Sequence, residues 1–140
     1  LLAQLTEAST SRVELPFRLF IEQTPPLPED VHAAYYRIAQ EALNNVAKHA
    51  QASKVTLSFR EMPLTPQQSA EKMVGVRLVV EDDGVGFSPE DAGVEHLGLG
   101  IMRERAADVG AELEIESRIG DGTRVTLDWC GEVEDGENEQ

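Results

Sequence analysis

Two periodicities divide this chain. Ser53-Lys-Val-Thr-Leu-Ser-Phe59, Ala111-Glu-Leu-Glu-Ile-Glu-Ser117 and Thr123-Arg-Val-Thr-Leu-Asp-Trp129 alternate apolar and polar residues. A period of two predicts strands that bury one face. Met73-Val-Gly-Val-Arg-Leu-Val-Val80 is the most apolar strand, and Val13-Glu-Leu-Pro-Phe-Arg-Leu-Phe-Ile21 alternates in part. Pro16 puts that stretch at a sheet edge or starts the strand after it, because proline gives no donor to a ladder. From Pro28 to about Ala50 the spacing changes to three and four. At about 100° per residue, Tyr35, Ile38, Ala39, Ala42, Leu43 and Val46 fall on one side of a helix. Pro28 fixes φ for its start, and Glu29 and Asp30 suit the positive end of its dipole. A second helix fits Gly98 to Val109, with Gly110 at the left-handed stop.

The remaining stretches join these elements. Leu1 to Thr10 reads as the last turns of a helix from a preceding domain, and Thr24 to Pro28 as a rigid connector. Glu61 to Lys72, with Pro63 and Pro66, reads as a mobile polar loop without chemistry. Glu81 to Leu97 is a long connection rich in glycine and acid, and Arg118 to Gly122 is a hairpin turn. The order strand–helix–strand–strand–helix–strand–strand predicts helices on one face of a mixed sheet, a two-layer α/β sandwich. The expected division is 1–12 as the end of a linker or preceding helix, 13–131 as one domain, and 132–140 as a disordered acidic tail.

Composition narrows the partners. The 140 residues carry a net charge of −14. Glu132, Glu134, Asp135, Glu137 and Glu139 supply five of those charges, so −14 less −5 leaves −9 on the rest. An acidic domain is a poor match for nucleic acid, which needs clustered Lys and Arg, and for an anionic membrane surface. No apolar run approaches the length that crosses a bilayer. The chain starts without Met or a signal-peptide pattern, which suggests a piece of something longer. Cys130 is the single cysteine. It forms no internal disulfide, and its place beside Trp129 suggests a buried small hydrophobe.

Four stretches carry candidate chemistry. On the polar side of the first helix Arg37, Glu41, Asn45 and Lys48 share one line, because steps of three and four return to one face. A carboxylate, an amide oxygen and an amine in a row suit a proton acceptor, a metal ligand and a phosphate partner. An exposed face with an ordinary charge pair is the alternative. Glu81-Asp-Asp-Gly-Val-Gly-Phe87 follows the apolar strand and puts Asp82 at its end, with Gly84 and Gly86 to turn the chain. A strand-end carboxylate suits an exocyclic amine such as that of adenine. A plain Asp-Gly turn is the rival reading. A calcium loop fits less well, since Asp82, Asp83, Glu90 and Asp91 lack its alternate spacing. His96-Leu-Gly-Leu-Gly-Ile-Met102 places Gly98, Leu99 and Gly100 where a helix begins, and bare amides there favour phosphate. It lacks the third glycine of the dinucleotide fingerprint and the Lys of a Walker loop. Thr123, after Gly122, is either a plain strand residue or a hydroxyl near a pocket.

In this order the stretches are specific. Glu41-Ala-Leu-Asn-Asn45-Val-Ala-Lys-His49 resembles the N box of histidine kinase ATP-binding catalytic domains. Asp82-Asp-Gly-Val-Gly86 and Gly98-Leu-Gly-Ile-Met-Arg-Glu-Arg105 resemble their glycine boxes, and Gly122-Thr123 the closing Gly-Thr element. The superfamily is the one shared with DNA gyrase, the ninety-kilodalton heat-shock chaperones and the MutL repair proteins, and the resemblance spans Leu27 to Trp129. Gln-Glu-Ala-Leu-Asn-Asn with Gly-Ile-Met-Arg-Glu-Arg is similar to the nitrate-sensor and desaturase-thermosensor subgroup of two-component kinases.

The resemblance implies a Bergerat-type fold with a mainly antiparallel sheet that binds ATP with Mg²⁺. It makes Asn45 the metal ligand, Glu41 the general base, and Lys48, with His49 nearby, the phosphate partner. Asp82 binds the adenine amine with support from Thr123. Gly84, Gly86, Gly98, Leu99 and Gly100 shape the pocket and the lid, which runs from Phe87 to Leu97 without a distinct phenylalanine box. Arg37 receives no role. The reaction implied is transfer of the ATP γ-phosphate to a histidine on a separate dimerisation domain upstream of Leu1. His32, His49 and His96 do not sit in an acceptor motif, so the chain alone would not autophosphorylate. The implied parent is a cytoplasmic-facing, homodimeric sensor kinase, anchored in a membrane or not, that serves a response regulator. The alternative is a nucleotide-gated binding module, or an anti-sigma serine kinase of the same fold.

Overall fold

The computed structural model describes residues 16–88 and 98–132. The expected leading helix, the strand residues before Pro16, the lid from 89 to 97 with His96, and the tail from 133 lie outside the described residues. Strand β1 (Phe17–Ile21) is followed by helix α1 (Glu29–Asn45), which passes into a π-helical segment, Val46–Ala50. Then come β2 (Val55–Glu61), a short helix α2 (Pro66–Ala70), β3 (Val74–Asp82), helix α3 (Leu99–Asp108), β4 (Glu112–Arg118) and β5 (Gly122–Gly131).

The strands form one sheet in the order β1-β2-β3-β5-β4. Only β1 and β2 run parallel; the other neighbours are antiparallel. β1 is an edge, and it starts directly after Pro16, the second of the two outcomes that the proline allowed. Alternation along the strands sets which residues face the helices. Ile21, Phe59, Leu78, Leu127 and Leu113 form one lateral row, and Leu19, Leu57, Val80, Val125 and Ile115 the next. Helix α1 lays Tyr35, Ile38, Ala39 and Leu43 on this face at 0% exposure, and α3 adds Leu99, Met102 and Ala106. The predicted two-layer sandwich and its core side of α1 are therefore found. The opposite face of the sheet is polar. Register partners there pair opposite charges: Arg77 binds Asp128 through two bonds of 2.7 and 2.9 Å, and Arg124 reaches Glu81 at 3.0 Å.

Tyr35 fixes α1 to the sheet. Its hydroxyl donates to Val76 O at 2.9 Å with Leu127 O at 3.3 Å, and its ring meets Phe59 edge-on at 6.0 Å. Burial pushes the phenol well above its usual pKa, so it stays a donor.

Three local expectations change. The first helix does not stay α-helical to Ala50. From Val46 it widens, and it stops at Gln51 in the left-handed region (φ 50°). Bonds from i to i+5 advance each residue by less than in an α-helix. Lys48 lies in this widened segment, past the α-helical turns that carry Glu41 and Asn45. Second, the stretch 61–72 is not all loop. Thr65 and Gln68 form a reciprocal capping box: Gln68 N donates to Thr65 Oγ1 at 3.1 Å and Thr65 N to Gln68 Oε1 at 2.9 Å. Pro66 at the first turn completes the start of α2. Third, Cys130 is half-buried rather than buried, since alternation puts it on the face away from Trp129.

Replacing Tyr35 by Phe removes the hydroxyl and keeps the ring. It should cost about 1 kcal/mol and lower Tm by roughly 3–5 °C. Thermal unfolding followed by circular dichroism checks this, and an unchanged Tm would deny the hydroxyl its anchoring role.

Candidate nucleotide site

The two apolar rows of the covered face are followed by a third that changes character. It runs Phe17, Val55, Asp82, Thr123, Ser117 across the five strands. The last three are polar and neighbour one another. This end of the sheet lies under the last turns of α1, where Ala42, Asn45 and Val46 face it. The loop after β3 adds Gly86 and Phe87, and α3 adds Leu99. Between them is a cavity with about 550 Å³ of empty space, its open mouth included. Its wall is mostly apolar, with Asn45, Asp82 and Thr123 as the polar side chains.

Asp82 is 8% exposed. Burial raises its carboxyl above the usual carboxylate range; the Gly84 N–H, which donates to Oδ1 at 2.7 Å, pulls it partly back. The adjacent Asp83 has a different task. It is exposed, and it accepts from Ser53 N at 2.8 Å, from Lys54 N at 3.0 Å and from the Ser53 hydroxyl. Those donors, the Ser53 hydroxyl first, hold its carboxyl below the usual range. Asp83 thus ties the loop after β3 to the segment that leaves the first helix.

Ser117 is a second anchor. Its Oγ accepts from Phe87 N at 2.8 Å, lies 3.1 Å from Gly122 O as donor, and sits 2.8 Å from Thr123 Oγ1. Gly120 N donates to Val85 O at 2.6 Å beside it. The loop Asp83–Ser88 is therefore bound to the β4–β5 hairpin. Two glycines permit this. A Cβ on Gly86 (φ 66°) would stand 1.9 Å from Arg118 O, and one on Gly122 (φ 82°) would stand 2.2 Å from Asp82 O. Their missing side chains admit neighbouring main chain, a close approach that the turn reading of Gly86 and Gly122 did not include.

Gly98 shows the same pattern. It caps α3 at φ 66°, and a Cβ there would stand 2.3 Å from Glu41 Oε2. The Glu41 carboxylate rests against the N-terminus of α3, where the helix dipole favours it. Of the residues singled out in the sequence, Asn45, Asp82, Gly86, Leu99 and Thr123 line the cavity. Gly84 is buried behind Asp82, and Gly98 meets Glu41. Gly100 is exposed on α3, and Lys48 is exposed on the π-helical segment, outside the lining. The backbone of His49 belongs to that segment; its side chain lies outside the described atoms. Arg37 is exposed on α1. Among the described residues no three His, Cys, Asp or Glu side chains gather as a metal cluster. Sequence reasoning missed Ser117, the tie from Asp83 to Ser53 and Lys54, and the Phe87 side chain. The alternation Leu113, Ile115, Ser117 does place Ser117 on the covered face.

Residues 30–131 match the family described as histidine kinase-, DNA gyrase B- and HSP90-like ATPase. The chain belongs to this family. ATP binding follows from that membership. The sensor histidine kinase LiaS of Bacillus subtilis is 34% identical over 105 residues, covering 75% of this chain and 26% of that protein. The histidine-protein kinase/phosphatase UhpB of Salmonella typhimurium is 39% identical over 103 residues, 72% of this chain and 18% of UhpB. The chain thus spans about a quarter or less of these relatives. The histidine kinase domain of the Erythrobacter litoralis blue-light activated kinase superposes with a TM-score of 0.64 at 22% identity, covering 89% of this chain and 59% of that one. Acinetobacter baumannii AdeS gives 0.66 at 17%, over 91% and 61%. These likenesses show the fold.

The glycine geometry yields a comparison. Gly110 (φ 71°) has nothing within 4 Å of an added Cβ, whereas Gly86 has the Arg118 carbonyl. Gly110→Ala should cost about 1 kcal/mol from backbone strain alone. Gly86→Ala should cost at least about 2 kcal/mol more, because main chain must move. Urea unfolding of both variants measures the difference, and equal losses would contradict the close approach.

Proposed function

We propose that the domain is the ATP-binding catalytic part of a two-component sensor histidine kinase. The observation that carries this reading is the row end: a buried carboxylate with a threonine opposite it, at the floor of an apolar cavity, in a chain of this family. The chain would supply the donor half of phosphoryl transfer. The acceptor histidine would stand on a dimerisation domain upstream, in a homodimeric, cytoplasmic-facing parent that passes phosphate to a response regulator. The subgroup of nitrate-sensor and desaturase-thermosensor type fits the wording of the N box. The domain is taken as 13–131, with 1–12 leading from the preceding helix and 132–140 as an acidic tail.

The residues suit Mg-ATP. The Asp82 carboxylate accepts from the adenine amine, and apolar walls cover the base. Asn45, on the cavity wall at the end of α1, offers an amide oxygen. Mg²⁺ prefers oxygen and few protein contacts, and takes the rest of its shell from phosphates and water. Glu41, one turn before Asn45, serves as base toward the attacking imidazole. Lys48 meets phosphate charge from the rim, helped by His49, and Gly98, Leu99 and Gly100 shape the phosphate end. Such transfer needs mainly positioning and neutralisation of charge.

Asp82→Asn should weaken ATP binding roughly 10- to 100-fold, since a charged acceptor becomes an amide. Because burial holds the Asp82 carboxyl above its usual value, the wild-type affinity should fall with decreasing pH earlier than an ordinary carboxylate allows. The apo fold responds with the opposite sign: this group's contribution to stability is full below the unfolded-state value and is lost as pH rises through the raised one. Calorimetry with ATP across pH reads the first effect, and an Asp82→Asn chain of wild-type affinity would refute the adenine assignment.

The reaction class is tested by mixing the chain with its upstream helices and radiolabelled ATP. Label should appear on a histidine. Glu41→Gln should leave nucleotide affinity near wild type and slow labelling by about 10²- to 10⁴-fold. Equal rates would remove Glu41 from the base role, and label on serine would favour a serine kinase of this fold.

A further inference from the structure

We propose that Ser117 is a specificity-determining residue: it fixes the Thr123 hydroxyl as an acceptor toward the cavity, so that the floor admits a 6-amino purine and rejects a 6-oxo purine. This rests on the nucleotide reading above and concerns which base the same cavity selects.

A serine hydroxyl has one proton and two lone pairs. Ser117 Oγ has three polar neighbours: Phe87 N at 2.8 Å, Gly122 O at 3.1 Å and Thr123 Oγ1 at 2.8 Å. Phe87 N–H can only donate, and the Gly122 carbonyl can only accept. These two take one lone pair and the proton. The lone pair that remains faces Thr123, whose hydroxyl must donate to it. In the reverse arrangement Ser117 gives its proton to Thr123, and two acceptors then face each other across the 3.1 Å to Gly122 O. The three-bond arrangement gives each of these partly buried groups a partner within the protein.

The Thr123 proton is thereby engaged within the protein. What Thr123 turns to the cavity is lone pairs. Asp82 lies directly opposite it in the β3–β5 register and presents a carboxylate. Both polar groups at this end of the floor accept. A 6-amino edge supplies donors to such a pair. A 6-oxo edge sets a carbonyl oxygen against it, and a buried site discriminates strongly on hydrogen-bond mismatch. Without the Ser117 hydroxyl, Thr123 is able to rotate and donate to the 6-oxo group.

The test is titration of the chain with ATP and with inosine triphosphate, in Mg²⁺, at a pH well above the carboxylate range. Wild type should prefer ATP. In Ser117→Ala the affinity for inosine triphosphate should rise while that for ATP changes little, and the preference should fall roughly 5- to 10-fold. Ser117→Thr keeps a hydroxyl and should keep the preference. Thr123→Val should lower the preference too, and adding Ser117→Ala to it should change nothing further. Mere structural damage would weaken both nucleotides together, so an unchanged ratio in Ser117→Ala overturns the proposal. Should Ser117→Ala fail to fold, a wild-type ratio in Thr123→Val overturns it equally. A chain that binds neither nucleotide defeats the nucleotide reading and this one with it; a chain that binds ATP with an unaltered ratio defeats this one alone.

Discussion

The register of β3 against β5 is the constraint on which the site depends. It sets Val76, Leu78 and Val80 against Trp129, Leu127 and Val125, and at the end of the series Asp82 against Thr123. A slip of one residue would send every one of these side chains to the other face. The apolar residues would meet water and Asp82 would leave the cavity. Burial of the apolar set decides the register by its magnitude, at roughly 1.5–3 kcal/mol for each large side chain. The charges on the open face act with it. Arg77 and Glu81 meet Asp128 and Arg124 only in this alignment. Exposed pairs contribute little to stability, but a slipped register would unpair all four. The core supplies the energy, and the ion pairs penalise the alternatives.

That arrangement explains how Glu81-Asp82-Asp83, three carboxylates in succession, acquire three environments. Strand alternation puts Glu81 on the open face, where Arg124 neutralises it in water. It puts Asp82 on the covered face beyond the last apolar row, where desolvation raises its carboxyl and a single backbone N–H compensates. Asp83 lies past the strand end, free to turn and collect the amides of Ser53 and Lys54. The carboxylate that water and protein solvate least is the one exposed to the cavity. An incoming donor therefore gains more from Asp82 than from either neighbour, because it replaces no complete hydration shell. Asp83 serves the same site indirectly by holding the chain that leaves the helix bearing Glu41 and Asn45.

The strands, the core face of α1 and the order of elements were legible because each rests on a local period. Tyr35, Ile38, Ala39, Ala42, Leu43 and Val46 are spaced for one side of a helix and are buried there. Asp82 and Thr123 were legible as strand-end polar residues near glycines. The π-helical widening after Asn45 was not, because nothing between Val46 and Ala50 departs from helix-forming residues. The capping box at Thr65 and Gln68 was present in the sequence, but the surrounding Pro and Gln obscured it. Ser117 was hidden for a different reason. Its partners Phe87, Gly122 and Thr123 are brought to it by turns and strand pairing, and the nearest is five positions away in sequence. The glycines were read as turn and helix-start positions, without the close neighbours that occupy the space beside them. Composition shows that a side chain is missing, but not whether a ligand or another stretch of chain uses the space.

That distinction bears on how the two ends of the cavity are related. At the base end Gly86 and Gly122 let main chain meet main chain, so the wall is built from carbonyls and amides fixed by the sheet. At the other end Gly98 lets the Glu41 carboxylate lie against the first turn of α3. The same turn is the one suited to phosphate. A phosphate and the Glu41 carboxylate cannot both lie close to those amides without repulsion, which in a partly desolvated site is substantial. On the reading proposed above, a triphosphate would meet the Glu41 carboxylate at that terminus and would have to displace it. Beside Asp82 the close neighbours are main chain held by the sheet, whereas at Gly98 the close neighbour is a side chain that can turn away.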